Sequence, residues 1–273
     1  MTCMDCNLII DIHTHAYPEK LLPKVRENLE NLFKVKFYGD GSLNSLLEYM
    51  DRAGVNISVV CSVATRPEQV PSINDWLFSI RSERIRVFCA LHPQYADWRK
   101  ELVRIKEKGD GVKLQPEFQD FYVDDDKVFP IYEEMQKLEI PVLFHCGEEL
   151  SGTQLVRSSP HRIARVLKEF PKLKLIAAHF GGFRLWDEVE KYLLGKDVYF
   201  DTAFFLGHLP PERIKYLILK HPSDRILFGT DFPLQDQRND IKFLMQLDIP
   251  DKIKAKILGE NAKKLLKVEG GEA

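Results

Sequence analysis

Short runs of apolar and β-branched residues recur along the chain and alternate with longer stretches in which apolar positions return every three or four residues. The short runs read as eight strands, at residues 8–14 (LIIDIHT), 56–63 (NISVVCSV), 85–92 (IRVFCALH), 111–115 (GVKLQ), 141–146 (PVLFHC), 173–179 (LKLIAAH), 198–202 (VYFDT) and 225–229 (RILFG). The amphipathic stretches at 43–53, 73–82, 98–108, 128–138, 162–169, 185–194 and 211–220 read as helices, and a last pair at 240–247 and 251–268 closes the chain. Strands that are apolar on both faces and alternate with helices indicate a parallel sheet covered by helices, because each parallel connection must cross the sheet. Eight such repeats in 273 residues predict an α/β fold, a (β/α)8 TIM barrel, distorted and carrying extra C-terminal helices. No Gly-x-Gly-x-x-Gly follows the first strand, which counts against a dinucleotide-binding open sheet. No linker or shift of composition marks a boundary, so one domain is expected over residues 1–273. Residues 19–42 are long for a first connection and are expected to form a lid or helical insert over the barrel mouth.

Charge and cysteine usage narrow the partners. Thirty-nine basic residues against 41 acidic ones give a net charge of -2, without a long basic run, so a nucleic-acid groove or an anionic membrane surface is excluded as the main partner. A small-molecule substrate fits better, and self-association into a homo-oligomer stays compatible with the sequence. No apolar run reaches the roughly 18 residues of a spanning helix, and the first residues lack a signal peptide's pattern, so a cytoplasmic protein is expected. Cys61, Cys89 and Cys146 sit inside strand-like runs, which argues against a disulfide framework. Cys3 and Cys6 have metal-ligand spacing but no second pair downstream, and are read as two thiols on a frayed N-terminus.

In a barrel of this kind the C-terminal strand ends form the floor of the site. Here they carry Asp11-Ile12-His13-Thr14-His15 on the first strand, His92-Pro93 on the third, Lys113 and Gln115 on the fourth, and His145 on the fifth. His179 ends the sixth, and Gly229-Thr230-Asp231-Phe232-Pro233 ends the eighth. His13 and His15, two apart on a strand, leave the same face and can converge on one ion. Buried imidazoles and a carboxylate at equivalent ends of three more strands would be costly without a cation, and this points to a metal site. Asp11 is expected to face away from the histidine pair as a structural hydrogen-bond acceptor, and Asp201 is also read as structural. Glu117, Glu148 and Arg157 follow strands four and five on loops, where solvated charges are the expectation. His161, His208 and His221 are read as surface or capping residues.

At these positions the sequence resembles the amidohydrolase superfamily, most closely the branch called amidohydrolase family 2. The features are D-I-H-T-H, G-V-K-L, the strand-end His145, A-A-H-F-G-G, G-T-D-F-P and the closing G-E-N-A-K-K-L-L, in order from residue 11 to 266. The resemblance implies that His13, His15, His145 and Asp231 hold a divalent ion, usually zinc, with manganese or iron as alternatives, and that His179 lies near the open position. One ion is expected rather than two. Such a metal activates water; Asp231 would then take the water's proton while His179 orients or protonates the substrate. Lys113 is ambiguous: in binuclear members a lysine here is carboxylated and bridges two metals, whereas otherwise it binds a substrate carboxylate. His92 and Arg157 are further candidates for substrate contact. The main expectation is a metal-dependent hydrolase of a small amide, ester or lactone, and the alternative is a non-oxidative decarboxylase or hydratase acting on a small carboxylic acid.

Overall fold

Eight parallel strands are hydrogen-bonded in chain order, β1 (Ile10–Thr14), β2 (Ile57–Cys61), β3 (Ile85–Ala90), β4 (Gly111–Leu114), β5 (Val142–Phe144), β6 (Leu175–Ala177), β7 (Tyr199–Asp201) and β8 (Ile226–Leu227). The computed structural model describes residues 8–152 and 155–268, so Cys3 and Cys6 lie outside the described residues. Ring closure runs through the segment after β8: the Ile12 amide donates to the Phe228 carbonyl at 2.8 Å and the Asp231 amide to the His13 carbonyl at 2.7 Å. The result is the expected TIM barrel, distorted because its strands shorten from five residues in β1 to two in β8.

Helices α1 (Leu22–Phe33), α2 (Leu43–Ala53), α3 (Val70–Ile80), α4 (Trp98–Lys108), α5 (Pro116–Gln119), α6 (Phe129–Leu138), α7 (Pro160–Glu169), α8 (Trp186–Tyr192) and α9 (Pro211–Lys220) follow the strands in turn. Helices α10 (Gln237–Gln246), α11 (Asp251–Ala255) and α12 (Asn261–Leu266) end the fold. Local chemistry sets their limits. Ser42 caps α2 by accepting from the Ser45 amide at 3.0 Å, and Gly54 ends it in the left-handed conformation. The continuous helix expected over 251–268 is instead broken by a π-helical turn, Lys256–Glu260. Gly259 in that turn lies against the chain entering β1, where a Cβ would sit 1.7 Å from the Leu8 carbonyl oxygen, so the C-terminal segment closes the barrel bottom at backbone distance.

Two apolar layers surround the strands. Ile12, Val59, Leu143, Ile176 and Leu227 fill the barrel interior, with Ala262 and Leu265 below them. Val60, Val87, Val112, Phe144, Phe200 and Phe228 face outward and pack under the helices. Because side chains alternate along a strand, the residue two beyond an interior one points into the barrel again, one layer nearer the mouth. Leu143 is thus followed by His145, and Val59 by Cys61. In β1 strict alternation would put Asp11 and His13 on one face. A register shift between Asp11 and Thr14 separates them, so Asp11 bonds outward to Gln237 of α10 while His13 turns inward, as expected for each.

Candidate metal centre and active site

The top interior layer is polar and buried. His13, Lys113, His145, His179 and Asp231 all reach it, and each is at most 8% exposed. His179 and Asp231 hold φ of 59° and 65°, a left-handed conformation that non-glycine residues seldom adopt and that recurs at functional sites.

Hydrogen bonds fix which nitrogen of each ring faces the centre. His13 Nδ1 donates to Asp201 Oδ2 at 2.8 Å, and His15 Nδ1 donates to the Cys61 carbonyl at 2.8 Å, which leaves both Nε2 atoms as lone-pair donors. They converge on Asp231 Oδ1, 3.7 Å from His13 Nε2 and 2.9 Å from His15 Nε2. The three ligand atoms lie within 4.8 Å of one another. Two acceptors 2.9 Å apart with no proton between them repel. They match instead the edge of a coordination sphere with metal bonds of about 2.1 Å. The donor set therefore fits a divalent ion.

His145 stands outside this set of three and faces His179. His179 Nδ1 donates to the Ala203 carbonyl at 3.0 Å, and His145 Nε2 donates to the Glu148 carbonyl at 3.2 Å. Carbonyls only accept, so His145 Nδ1 and His179 Nε2, 3.0 Å apart, form a second pair of opposed lone pairs that calls for positive charge. Lys113 Nζ lies 3.1 Å from His13 Nε2 and donates to it.

Burial, reinforced by the Lys113 charge, lowers the His13 imidazole to about 4. Burial likewise pushes His145 and His179 down, so the three rings are neutral at pH 7, as metal ligands must be. For Asp231 burial works in the opposite direction, and the pull that holds its carboxyl far below the ordinary range needs positive charge among His13, His15 and His179, which with neutral rings a bound cation would supply. Asp201, which accepts from His13 and from the His179 amide at 2.7 Å, is also held low against its burial. Its structural assignment thus becomes specific: it orients both histidines from a strand end between them.

Glu149 was not singled out from the sequence. Its Oε1 lies 3.1 Å from His145 Nε2 and accepts from Gln115, and burial together with the Glu117 charge raises it to about 8. Its signal was its place two residues after Gly147, on the loop that carries Glu148. Glu117, expected to be solvated, is half-buried and raised by that burial; it accepts from the Ser158 hydroxyl at 2.8 Å.

Above the floor opens a cavity of about 660 Å³. Lys113, Gln115, Glu148 and Glu149 line its polar end; Phe183, Phe204, Trp76 and Phe118 are among its apolar walls. The roof is α1, so the 19–42 segment is the expected insert over the mouth. Two candidates for substrate contact lie away from the cavity wall. The Arg157 guanidinium is bound to Asp120 and stacks over Tyr122 at 5.2 Å, while buried His92 accepts the Gln94 amide on Nδ1 at 3.1 Å.

Among the described residues no helix is long and apolar enough to cross a membrane. In fold the chain is similar to solved decarboxylase structures. One is 5-carboxyvanillate decarboxylase from Sphingomonas paucimobilis, with a TM-score of 0.74 at 14% identity over 97% of this chain and 100% of that one. Another is 2,6-dihydroxybenzoate decarboxylase complexed with 2,6-dihydroxybenzoate, at 0.73 and 18% over 97% and 100%. A third is a dihydroxybenzoic acid decarboxylase from a Polaromonas species with bound manganese and the inhibitor 2-nitroresorcinol, at 0.72 and 18% over 98% and 99%. No curated protein sequence matches the chain. The amidohydrolase family model matches residues 10–268, from the start of β1 through Asp231 to the end of the closing helices, and the chain belongs to that family.

Proposed function

We propose that the protein is a metal-dependent lyase that removes carbon dioxide from a small carboxylic acid without a redox step. The observation that carries this reading is the convergence of His13 Nε2, His15 Nε2 and Asp231 Oδ1, with the Lys113 ammonium beside them, at the foot of a largely apolar cavity. The fold neighbours, which are decarboxylases, support the lyase alternative over the hydrolase expectation. An apolar cavity also favours a step in which a carboxylate becomes neutral carbon dioxide.

His13, His15 and Asp231 would hold one divalent ion, with His145 and His179 beside it; the donors suit zinc, and manganese is the ion bound in the Polaromonas structure. When bound, such an ion supplies positive charge against the negative charge that develops on the substrate. Lys113 pairs with the substrate carboxylate. Carbon–carbon cleavage leaves an electron pair on the substrate carbon, which must take a proton. Asp231 is held ionised and so serves as a ligand and base, whereas Glu149, kept neutral at pH 7, is the donor at hand. His179 Nε2 orients the substrate.

The second reading is hydrolysis of an amide, ester or lactone, which the ionised Asp231 favours because it can take a proton from water. Incubating metal-loaded protein with 2,6-dihydroxybenzoate and 5-carboxyvanillate, with release of carbon dioxide followed alongside cleavage of aryl esters and lactones, separates the two. Carbon dioxide without ester or lactone cleavage supports the lyase; cleavage alone overturns it.

A further inference from the structure

We infer that helix α1 is the specificity element of the site and selects acids with one carboxylate and a large uncharged apolar body, of two rings or equivalent bulk. This inference rests on the acid-binding reading of the floor and adds what the rest of the substrate must be.

Three observations point the same way. First, the cavity volume of about 660 Å³ falls in the middle of the roughly 300–1,000 Å³ range of sites that enclose drug-sized ligands, well beyond the needs of a single-ring acid. Second, the wall away from the floor is mostly apolar, with Asn28, Thr65, Gln69 and Ser72 among its polar members, and α1 contributes Val25, Asn28, Leu29 and Phe33 to it. Val25, Leu29 and Phe33, four residues apart and so on one helical face, look into it opposite Trp76, and Phe33 stacks on Phe118 at 6.3 Å and 19°. Yet α1 has no buried residue, so its half-buried inner face is apolar surface that a ligand body would cover. Third, the charges are unequal. Among the lining residues the cations are Lys113, at the floor, and Lys20, exposed at the rim, while Glu148, Glu149 and Asp231 are acidic. A second carboxylate in the chamber would meet apolar walls with no further lining cation inside the rim to pair with, so it would be rejected.

The test is calorimetric titration of the manganese-loaded full-length protein with benzoate, biphenyl-4-carboxylate, isophthalate and biphenyl-4-methanol. Biphenyl-4-carboxylate is expected to bind about tenfold or more tighter than benzoate. Isophthalate is expected to bind more weakly than benzoate. In Leu29→Ala and Phe33→Ala, neither of which touches a buried position, the advantage of the second ring should shrink to about twofold while benzoate affinity holds. Equal affinity for one and two rings, or a preference untouched by both substitutions, would overturn the assignment of α1; tighter binding of isophthalate would overturn the uncharged body. If biphenyl-4-methanol binds as tightly as the acid, the acid reading of the floor fails instead, and the ring preference still reports on α1 separately.

Discussion

The floor and the roof of the cavity are built on opposite terms. On the floor each ring is clamped by a named partner: His13 by Asp201, His15 by the Cys61 carbonyl, and His179 by the Ala203 carbonyl. The lone pairs are pointed at one another, and two backbone positions are held in an uncommon conformation. In the roof, helix α1 has no buried residue, and the segment after it is tied down by few polar contacts, chiefly Glu30 receiving the Phe37 amide at 3.0 Å and the Tyr38 amide donating to the Pro233 carbonyl at 2.7 Å. Rigid strand ends carry the chemistry, which tolerates little displacement, and a loosely seated helix carries the fit to the substrate body.

Substitutions divide the two regions. The largest effect is expected from Asp231→Asn or the pair His13→Ala/His15→Ala, which should lower turnover by about 10²–10⁴-fold and abolish metal retention. Full turnover in metal-loaded Asp231→Asn would break the account of the floor. Asp201→Asn leaves all three converging ligand atoms in place but removes the carboxylate that sets the His13 ring. It should cost about 10–100-fold in metal affinity or activity, read by metal titration at constant fold. On the roof, Phe33→Ala should raise KM for a bulky acid about tenfold while kcat stays near the wild-type value, the pattern of lost uniform binding. An equal fall in kcat would show that roof and floor are not separable.

A further effect, on stability and not on turnover, concerns Glu149 and is read in metal-free protein. Its carboxyl is raised from 4.5 to about 8, so the folded state holds a proton that the unfolded chain has released across that window. Its contribution is full below pH 4.5 and is lost as the pH climbs through 8, with a slope of about 1.4 kcal/mol per pH unit. The buried His221, lowered by burial to about 4, has the opposite slope between pH 4 and 6.5. Denaturant midpoints of wild type and Glu149→Gln should therefore diverge, with the variant gaining relative to wild type from pH 5 to pH 8. Parallel profiles would contradict the neutral Glu149.

The fold was readable because strand and helix periods are local. All eight expected strands contain an observed one, and Leu43–Ala53, Trp98–Lys108 and Pro211–Lys220 match to the residue. His145 was readable for the same reason, since alternation carries Leu143 of the interior on to it at the mouth, whereas His13 and His179 reach the floor through a register shift and a left-handed backbone. What was not legible depends on distant partners. Asp201 acts on His13 from 188 positions away, and Arg157 is taken by Asp120, 37 away, which removes it from the cavity wall. Glu149 carries no periodic signal, since its role follows from how the loop after β5 folds back on His145. The break at Lys256–Glu260 lies where Gly259 meets Leu8, far earlier in the chain, a contact no local period announces.

The central claim is that the floor is a metal centre. Elemental analysis of protein purified without added metal and then reconstituted, set beside the His13→Ala/His15→Ala variant, tests it most directly. About one equivalent of divalent ion in the wild type and none in the variant is the predicted result. A ratio near two would place a second ion at the His145 and His179 pair, with Lys113 carboxylated as the bridge, whereas a wild type that binds no divalent ion after reconstitution would contradict the account.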